Sequence, residues 1–514
     1  MAIETELKLR IAPEHLARLK RHALLGAYSV SRPVTRRLYN IYYDTPKLEL
    51  RKSGIALRLR HTGQQWLQTL KGGGSVQAGL HRRNEWEMPV NGPALDFSTT
   101  QNVGWDEHLP QSLRRRLRPV FVTDFIRNRR MLDFQGAEIE LCIDQGEIGT
   151  KQRSIPVCEL ELELRSGEPR QLFELALAIL EIVPFELEIV SKAEQGYRLL
   201  SGYAAHPVKD VAPVVARTDT LEDALKALIW SCLQHFQSNL SGALGHVAIG
   251  HVGTTGDDAE YLHQMRVALR RLRVALSIAE KIRPDERLAA LSEEISALGA
   301  ALGRIREWDV FIAGTLRTVC GRMAGHAGLQ ALLADSEQQR AAGYAALRGA
   351  AQTHEIQRLL LRFAIWMNGD YWLHTADEVR NTQEFAGHRL HKLGERFESS
   401  GRQLDSADAA RLHALRIAAK KLRYSAEFFA YWYDERKAAP YLAALGAVQD
   451  VLGQINDIAV AHRLLDKLAG HDALSARQEA IVLTRGWIAH DLSGQLNVLR
   501  KSLRHFHKRR GFWK

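Results

Sequence analysis

Cysteine is scarce in this chain of 514 residues: Cys142, Cys158, Cys232 and Cys320 stand far apart and form no C-x-x-C pair. Neither a disulfide framework nor a thiolate zinc site is indicated, and a reducing compartment is the expected home. Long apolar runs are missing too. Nowhere do 18 apolar residues follow one another, and Met1-Ala2-Ile3-Glu4 is no basic stretch leading into an apolar one. Membrane insertion and export are therefore not expected, and a cytoplasmic protein is. Proline is nearly absent from one part of the chain. Ten of the 14 prolines fall in residues 1–202, Pro207 and Pro213 follow, and only Pro284 and Pro440 lie beyond. Histidine runs the other way, with five before residue 203 and 16 after it.

That break in composition divides the chain into residues 1–202, a linker at 203–218, a second domain at 219–505 and a basic tail at 506–514. With 46% hydrophobic and 25% charged residues, the chain can build two or three cores, which excludes a disordered polymer. The formal charge of +11, with 21 histidines besides, points to polyanionic partners without saying which.

Against these absences stands a dense pattern of charge. Ile3-Glu4-Thr5-Glu6-Leu7-Lys8 alternates as a half-buried strand does, so Glu4, Glu6, Lys8 and Arg10 share one face. Members of that row sit about 6 to 7 Å apart, close enough for two carboxylates to hold one divalent cation while a lysine meets the phosphate it carries. A solvated edge strand with incidental charges is the alternative. The pattern recurs, however. Arg58 and Arg60 alternate with leucines, as do Glu159, Glu161 and Glu163; Arg83, Glu85 and Glu87 alternate with Asn84, Trp86 and Met88. Strands with interspersed charge signs on one face predict a closed antiparallel barrel whose lumen is charged. Buried acids and bases need partners there, and a triphosphate carrying Mg²⁺ or Mn²⁺ supplies both kinds. A self-paired salt-bridge lattice is the other reading. Gly72-Gly73-Gly74-Ser75 lacks the G-x-x-x-x-G-K-[ST] spacing and is expected to be a hairpin loop. Arg114-Arg115-Arg116-Leu117-Arg118 is expected to be a solvated run, and Trp66, Trp86 and Trp105 packing residues.

In order along the chain, Glu4-Thr5-Glu6-Leu7-Lys8, Tyr42-Tyr43-Asp44-Thr45, Leu57-Arg58-Leu59-Arg60, Thr69-Leu70-Lys71, Arg127 with Arg129, Asp144, Cys158 to Leu164 and Ser191-Lys192 make the first 202 residues resemble the CYTH, or triphosphate tunnel metalloenzyme, family. The nearest type within it is the bacterial inorganic triphosphatase. The resemblance implies a working phosphoanhydride hydrolase. Glu4, Glu6, Glu159 and Glu161 would hold the metal, because hard cations take carboxylate oxygen. Lys8, Arg58, Arg60, Lys71, Arg127, Arg129 and Lys192 would grip phosphate oxygens. Glu4, Glu6 and Lys8 would carry the catalysis, with Asp144 and Glu163 as further candidates for orienting the attacking water or a second metal, and Glu85 and Glu87 balancing lumen arginines.

The second domain is helical by period and repeats itself. Leu262-His263-Gln264-Met265-Arg266-Val267-Ala268-Leu269-Arg270-Arg271-Leu272-Arg273 returns 150 residues later as Leu412 to Arg423, and Leu302-Gly303 returns as Leu452-Gly453. Two similar helical bundles, about 219–365 and 366–505, are predicted. Each motif sets a basic row beside an apolar stripe: His263, Arg266, Arg270, Arg271 and Arg273 in one copy, His413, Arg416, Lys420, Lys421 and Arg423 in the other. Arg304, Arg306, His462 and Arg463 extend the patch. A solvated helix face is the bland reading, but like charges gathered twice call for an anion. The paired motifs resemble the CHAD domain, which implies binding of inorganic polyphosphate through these faces. One departure is that Asp309 becomes Ala459 in the second copy. A metal role for His263 and His413 is not expected, since no other ligand clusters with them.

The resulting expectation is a metal-dependent hydrolase that cleaves tripolyphosphate to phosphate and pyrophosphate, tethered to polyphosphate or to polyphosphate granules by its helical domain. The alternatives are a non-catalytic polyphosphate scaffold and a nucleoside- or thiamine-triphosphate enzyme of the same fold. Nucleic acid is disfavoured because neither basic stripe is interleaved with aromatics for bases to stack on, although the tail His505 to Arg510 could touch RNA.

Overall fold

The alternating segments of the first domain do form strands, and these strands close on themselves. The computed structural model describes residues 2–63, 65–98, 105, 109–202, 205–209, 220–244, 258–352, 354–372, 382–401, 408–469 and 476–514. Of the linker expected at 203–218, all but 205–209 lies outside the described residues. The strands are β1 (Ala2–Arg10), β2 (Val34–Asp44), β3 (Ile55–Thr62), β4 (Gln65–Gln77), β5 (Leu80–Val90), β6 (Arg118–Phe134), β7 (Ala137–Gly149), β8 (Ser154–Ser166) and the short β9 (Glu186–Leu187). Their order is β5-β4-β3-β2-β6-β7-β8-β1, all antiparallel, and pairing of β1 with β5 closes the ring. β9 pairs with the last residues of β1, beyond the reach of β5.

Closure removes the sheet edges and sends every second side chain inward. The barrel is polar inside and apolar outside, as the alternation requires. Leu7, Leu9, Leu57, Leu59, Leu160 and Leu162, which alternate with the charged rows, are fully buried. Part of that cover is helix α1 (Pro169–Leu180), which lies on β1 and β8 and buries Leu172, Phe173, Leu175 and Ile179. It starts where the sequence says it should. Pro169 occupies the first turn, and Glu168 and Gln171 form a reciprocal capping box. Helix α2 (Lys192–Ser201) is capped by Ser191, whose hydroxyl accepts from the Glu194 amide at 3.3 Å, and it packs against β6 and β7.

The glycine run does not form the expected hairpin loop. Residues 72–75 lie inside β4, where the register to β5 slips between Gly72 and Ser75. A Cβ on Gly74, whose φ is +97°, would stand 1.8 Å from the Arg82 carbonyl oxygen. Glycine is required there because a bulge presses one backbone onto another. The turn itself comes later, at Ala78-Gly79, where both φ values are positive. Trp86 and Trp105 are packing residues as expected, in a cluster with Leu57, Leu70 and Leu109 outside the lumen. Arg116 in the basic run pairs with Glu49 at 2.6 Å rather than standing alone.

By packing, the chain forms two units: 1–209 with 233–261 and 349–372, and 210–232 with 262–348 and 373–514. In the first, helix α7 (Glu355–Met367) packs on α1 although it comes from the distant second half of the sequence. The second is all helical. It contains most of α4 (Asp258–Ile282), then α5 (Glu286–Val310), α6 (Ala327–Gln352), α8 (Thr382–Gly401), α9 (Ala409–Phe429), α10 (Glu435–Leu468) and α11 (Ala476–His507), with α3 (Leu221–Ala243) and a part of α6 shared between units. The apolar stripes of both motifs are core: Leu262, Met265, Leu269 and Leu272 on α4, and Leu415, Ala419 and Leu422 on α9, are at most 2% exposed. No helix among the described residues is long and apolar enough to cross a membrane.

Candidate functional site

The lumen of the barrel is a cavity of about 340 Å³. Register places its charges. Lys8 stands opposite Glu161 and Glu6 opposite Glu163 across β1 and β8, while Asp144 on β7 faces both Arg127 on β6 and Glu159 on β8. On the other wall Lys71 faces Glu85, Thr69 faces Glu87, and Tyr42 faces Arg58. Of the residues read from the sequence, Glu4, Glu6, Lys8, Arg58, Arg60, Lys71, Arg127, Arg129, Glu161, Glu163 and Lys192 line this cavity. Asp144 and Glu159 lie just behind the wall, 0% and 2% exposed. Arg10 shares the β1 row but sits past the end of the β5 pairing, where it binds Glu186.

The deepest part is a knot of buried acids and bases. Lys192 Nζ lies 2.7 Å from Asp144 Oδ2 and 2.9 Å from Glu161 Oε1, and it also pairs with Glu159. Arg127 holds Asp144 through two hydrogen bonds of 2.7 Å and reaches Glu161 as well. Lys8 binds Glu161 and sits 2.8 Å from Glu6. Burial would push the Glu161 and Asp144 carboxyls up, but Lys192, Lys8 and Arg127 around the first, and Arg127 and Lys192 at the second, outweigh it and hold both low. At Glu159 burial, joined by the neighbouring Glu161, outweighs Lys192 and Lys8, and its carboxyl titrates above the ordinary value. Among the described residues, Asp144, Glu159 and Glu161 form a group able to hold a metal ion, each offering an oxygen within 4.8 Å of the others. Glu4 lies on the other flank, paired with Lys71, which also approaches Glu85 at 3.3 Å.

Cations outnumber acids along the wall, with ten lysines and arginines against seven glutamates. Some of this charge is poorly matched. Arg60 is pushed down to about 10 by burial and by the neighbouring Arg58 and Arg127, and the buried Arg58 Nε has no hydrogen-bond partner. Such a surplus favours an anion in the lumen. The structure adds lining residues that the sequence reading did not propose as a site: Arg36, Tyr42, Arg83, Glu140 and Arg165. Arg83 was legible, because it alternates with Glu85 and Glu87. Arg165 bridges Glu140 at 2.7 Å and Glu163 at 2.8 Å, and extends the β8 row by one step of the same period. Arg129 is half exposed at the rim, 3.5 Å from Glu140.

In the helical unit the two motif copies line one cavity of about 1290 Å³. His263, Arg266, Arg270 and Arg271 come from α4, and His413, Arg416, Lys420 and Arg423 from α9, joined by Arg306, His462 and Arg463. Arg273, Lys421 and Arg304 are exposed and do not line it. The basic row is therefore not one straight face. Ten residues at about 100° each carry position 273 roughly 80° round from 263, so each helix shows the cavity a different edge of its row. Gly303 explains the shared Leu-Gly pair in the first copy: a Cβ there would meet Arg266 Nη1 at 2.6 Å, and the same nitrogen donates to the Gly299 carbonyl at 3.1 Å. Burial, and then Arg416, Arg270 and Arg266, push Lys420 down to about 7; burial and Arg270 push Arg266 down to about 10. Asp309 is buried against Arg340 at 2.6 Å and Tyr344 at 3.1 Å, a fastening that Ala459 cannot copy.

Comparison with known proteins agrees with this geometry. Residues 2–197 match the CYTH domain and residues 227–466 the CHAD domain. An inorganic triphosphatase of Haemophilus influenzae is 36% identical over 208 residues, which are 39% of this chain and 55% of that protein; the chain thus spans about half the length of this curated relative. Among solved structures, the CHAD domain from the plant Ricinus communis is 31% identical with a TM-score of 0.49, covering 59% of this chain and 97% of that one. A putative adenylyl cyclase from Hippeastrum, described as having a dominant triphosphatase activity, is 21% identical with a TM-score of 0.30, covering 39% and 97%. The chain carries a CYTH domain followed by a CHAD domain.

Proposed function

We propose that the chain is a metal-dependent inorganic triphosphatase that cleaves tripolyphosphate to phosphate and pyrophosphate, joined to a module that binds inorganic polyphosphate. The observation that carries this reading is a closed lumen in which three buried carboxylates, Asp144, Glu159 and Glu161, meet a wall with more cations than acids. The relative from Haemophilus influenzae supports the substrate class.

The donor set is all carboxylate oxygen, which suits a hard divalent cation such as Mg²⁺ or Mn²⁺ rather than a thiophilic one. Glu159 and Glu161, with Asp144 beside them and Glu4 and Glu6 on β1, are the residues that would hold it. When bound, the cation would neutralise charge on the phosphate oxygens and make a nearby water more acidic. The protein's own groups do the rest. Arg58, Arg60, Lys71, Arg127 and Lys192 hold the phosphate chain in line, with arginine acting as a fork and lysine as a point charge. Glu163, which lines the lumen and is pushed up to about 7 by burial, would take a proton from water as the terminal P–O–P bond breaks and pyrophosphate leaves. In the helical unit the cavity, lined by eight arginines and lysines against four carboxylates, is the polyphosphate site, and tethering a polymer there raises the supply of short chains to the lumen.

The test is phosphate release from tripolyphosphate and from longer chains, with and without Mg²⁺ or Mn²⁺. Glu4→Gln with Glu6→Gln is expected to abolish cation-stimulated release; undiminished turnover would refute the assignment. Binding without any release would favour the scaffold reading. Arg266→Ala with Arg416→Ala is expected to weaken polyphosphate retention and flatten its salt dependence. Release from ATP in preference to tripolyphosphate would turn the reading toward nucleotides.

A further inference from the structure

Of the two ammonium groups that meet on Glu161, that of Lys192 stands at the end of one short backbone segment, residues 186–192, and that of Lys8 is on the stretch of β1 to which the start of the same segment is bonded. β9 pairs Leu187 with Leu9 and Glu186 with Arg10. The next amide, Glu188 N–H, donates to the Lys8 carbonyl at 2.8 Å, so this segment holds the backbone of Lys8 directly. His81 Nε2 lies 3.1 Å from the Glu188 carbonyl, and the Val190 amide donates to Glu188 Oε1 at 2.8 Å. Ser191 then caps α2, and Lys192, its first residue, enters the carboxylate knot. From Leu187 to Lys192 little of the chain is left unbonded.

One bond comes from outside this circuit. Among the described residues β9 has a single strand neighbour, so the other side of Leu187 is an open sheet edge whose amide needs an acceptor. Gln357 supplies it: its Oε1 accepts from the Leu187 amide at 3.1 Å. Gln357 is 6% exposed and lies on α7, which is fastened to the same region by Arg358 bonding Glu181 at 2.8 Å and by its packing on α1. A buried polar side chain aimed at a lone edge amide is costly to hold there unless it is bonded, and here the bond fixes the strand that sets Lys8 and Lys192.

We propose that Gln357 is a positioning residue for the tunnel: by capping the free edge of β9 it sets the placement of Lys8 and Lys192 against Glu161. The tunnel site is then completed by a residue 165 positions beyond Lys192 in sequence. A chain ending near residue 202 would fold a barrel lacking this edge cap. The inference rests on the triphosphatase reading only for its kinetic consequence; the structural consequence stands by itself.

The test uses the full chain. Gln357→Met keeps length and burial but removes the acceptor, while Gln357→Glu keeps an acceptor oxygen. Amide hydrogen exchange by mass spectrometry over peptides covering 186–193 is measured beside tripolyphosphate hydrolysis with Mg²⁺. In Gln357→Met, exchange at 186–190 is expected to rise while β6 and β7 keep their protection, and kcat/KM is expected to fall roughly tenfold, as a sub-ångström displacement of binding groups allows. Gln357→Glu is expected to recover most of both. Protection at 186–193 equal to the parent's, or a loss spread evenly over the whole barrel, would overturn the proposal. Should the parent release no phosphate, the functional reading falls, and the exchange pattern alone decides the role of Gln357.

Discussion

The guanidinium of Arg51 clasps the carboxylate of Glu194 by two hydrogen bonds, Nη2 to Oε1 at 2.8 Å and Nε to Oε2 at 3.2 Å. Glu194 stands in the first turn of the helix that begins at Lys192, so this clasp ties that helix to the short helix Glu49–Lys52 after β2. Asp44 secures the other partner, its carboxylate accepting from the Leu50 and Arg51 amides at 2.9 and 3.0 Å. Both ends of the clasp are partly exposed, so the pair is expected to be worth about 0.5 to 1 kcal/mol. A double-mutant cycle with Arg51→Ala and Glu194→Ala, read by urea unfolding, measures it. A coupling near zero would mean that the helix is held by packing alone.

Lys192 supplies a sharper test. Removing its ammonium takes the ion-pair partner from buried Glu159 and one of the cations from Asp144 and Glu161, and breaking a buried ion pair in this way costs roughly 3–5 kcal/mol. Lys192→Met is therefore expected to lower the melting temperature strongly. A divalent cation can replace the missing charge, because the oxygens of Asp144, Glu159 and Glu161 lie close together. Mg²⁺ should then raise the melting temperature of Lys192→Met by more than it raises that of the parent chain. Equal shifts in both would count against a cation site at this cluster, whatever the turnover.

How much of this was legible before the fold was known depends on the kind of signal. The lumen rows were readable because the strand period is two: Glu4, Glu6 and Lys8, and likewise Glu159, Glu161 and Glu163, could share a face only in one way. Their convergence was not contained in that pattern, since it comes from the registers that set Lys8 against Glu161 and Asp144 against Glu159. Asp144, offered only as a secondary candidate, proved to be in the middle of the knot. The glycine run misled because glycines mark bulges and turns alike, and only the close approach of Arg82 tells which. Gln357 gave no signal at all. The amphipathic pattern of α7 says that one face is buried, but not that it is buried against a barrel from the other end of the chain.

Glu163 should leave its mark on two pH profiles. Burial pushes its carboxyl up to about 7, with Glu4, Glu140 and Glu6 adding to the effect and Arg165 opposing it. As the proton acceptor it would give turnover an acidic limb near pH 7, and Glu163→Gln is expected to cut kcat roughly a hundredfold and erase that limb. Stability should move in the opposite direction. A carboxyl whose folded value lies above its unfolded value of 4.5 costs nothing while protonated in both states, and begins to destabilise the fold as pH rises from there to about 7. Glu163→Gln is therefore expected to be more stable than the parent at pH 8 and equal to it at pH 4. A variant that lost stability at pH 8 would show that Glu163 is a structural partner of Arg165 instead.

In the helical unit Lys420 offers the corresponding handle on polyphosphate. Burial, together with Arg416, Arg270 and Arg266, holds it down to about 7, so at pH 8 most of it is neutral. A polyanion in the cavity would favour the charged form and draw the group back up, and binding must then take up a proton from solution. Calorimetric titration of polyphosphate at pH 8, in buffers of different ionisation enthalpy, is expected to show uptake approaching one proton per site, with affinity falling as pH rises from 7 to 9. In Lys420→Met the uptake should vanish and the affinity should lose most of its pH dependence, while the salt dependence persists through the arginines that remain charged. Uptake of the same size in Lys420→Met would place the polymer on another surface of the domain.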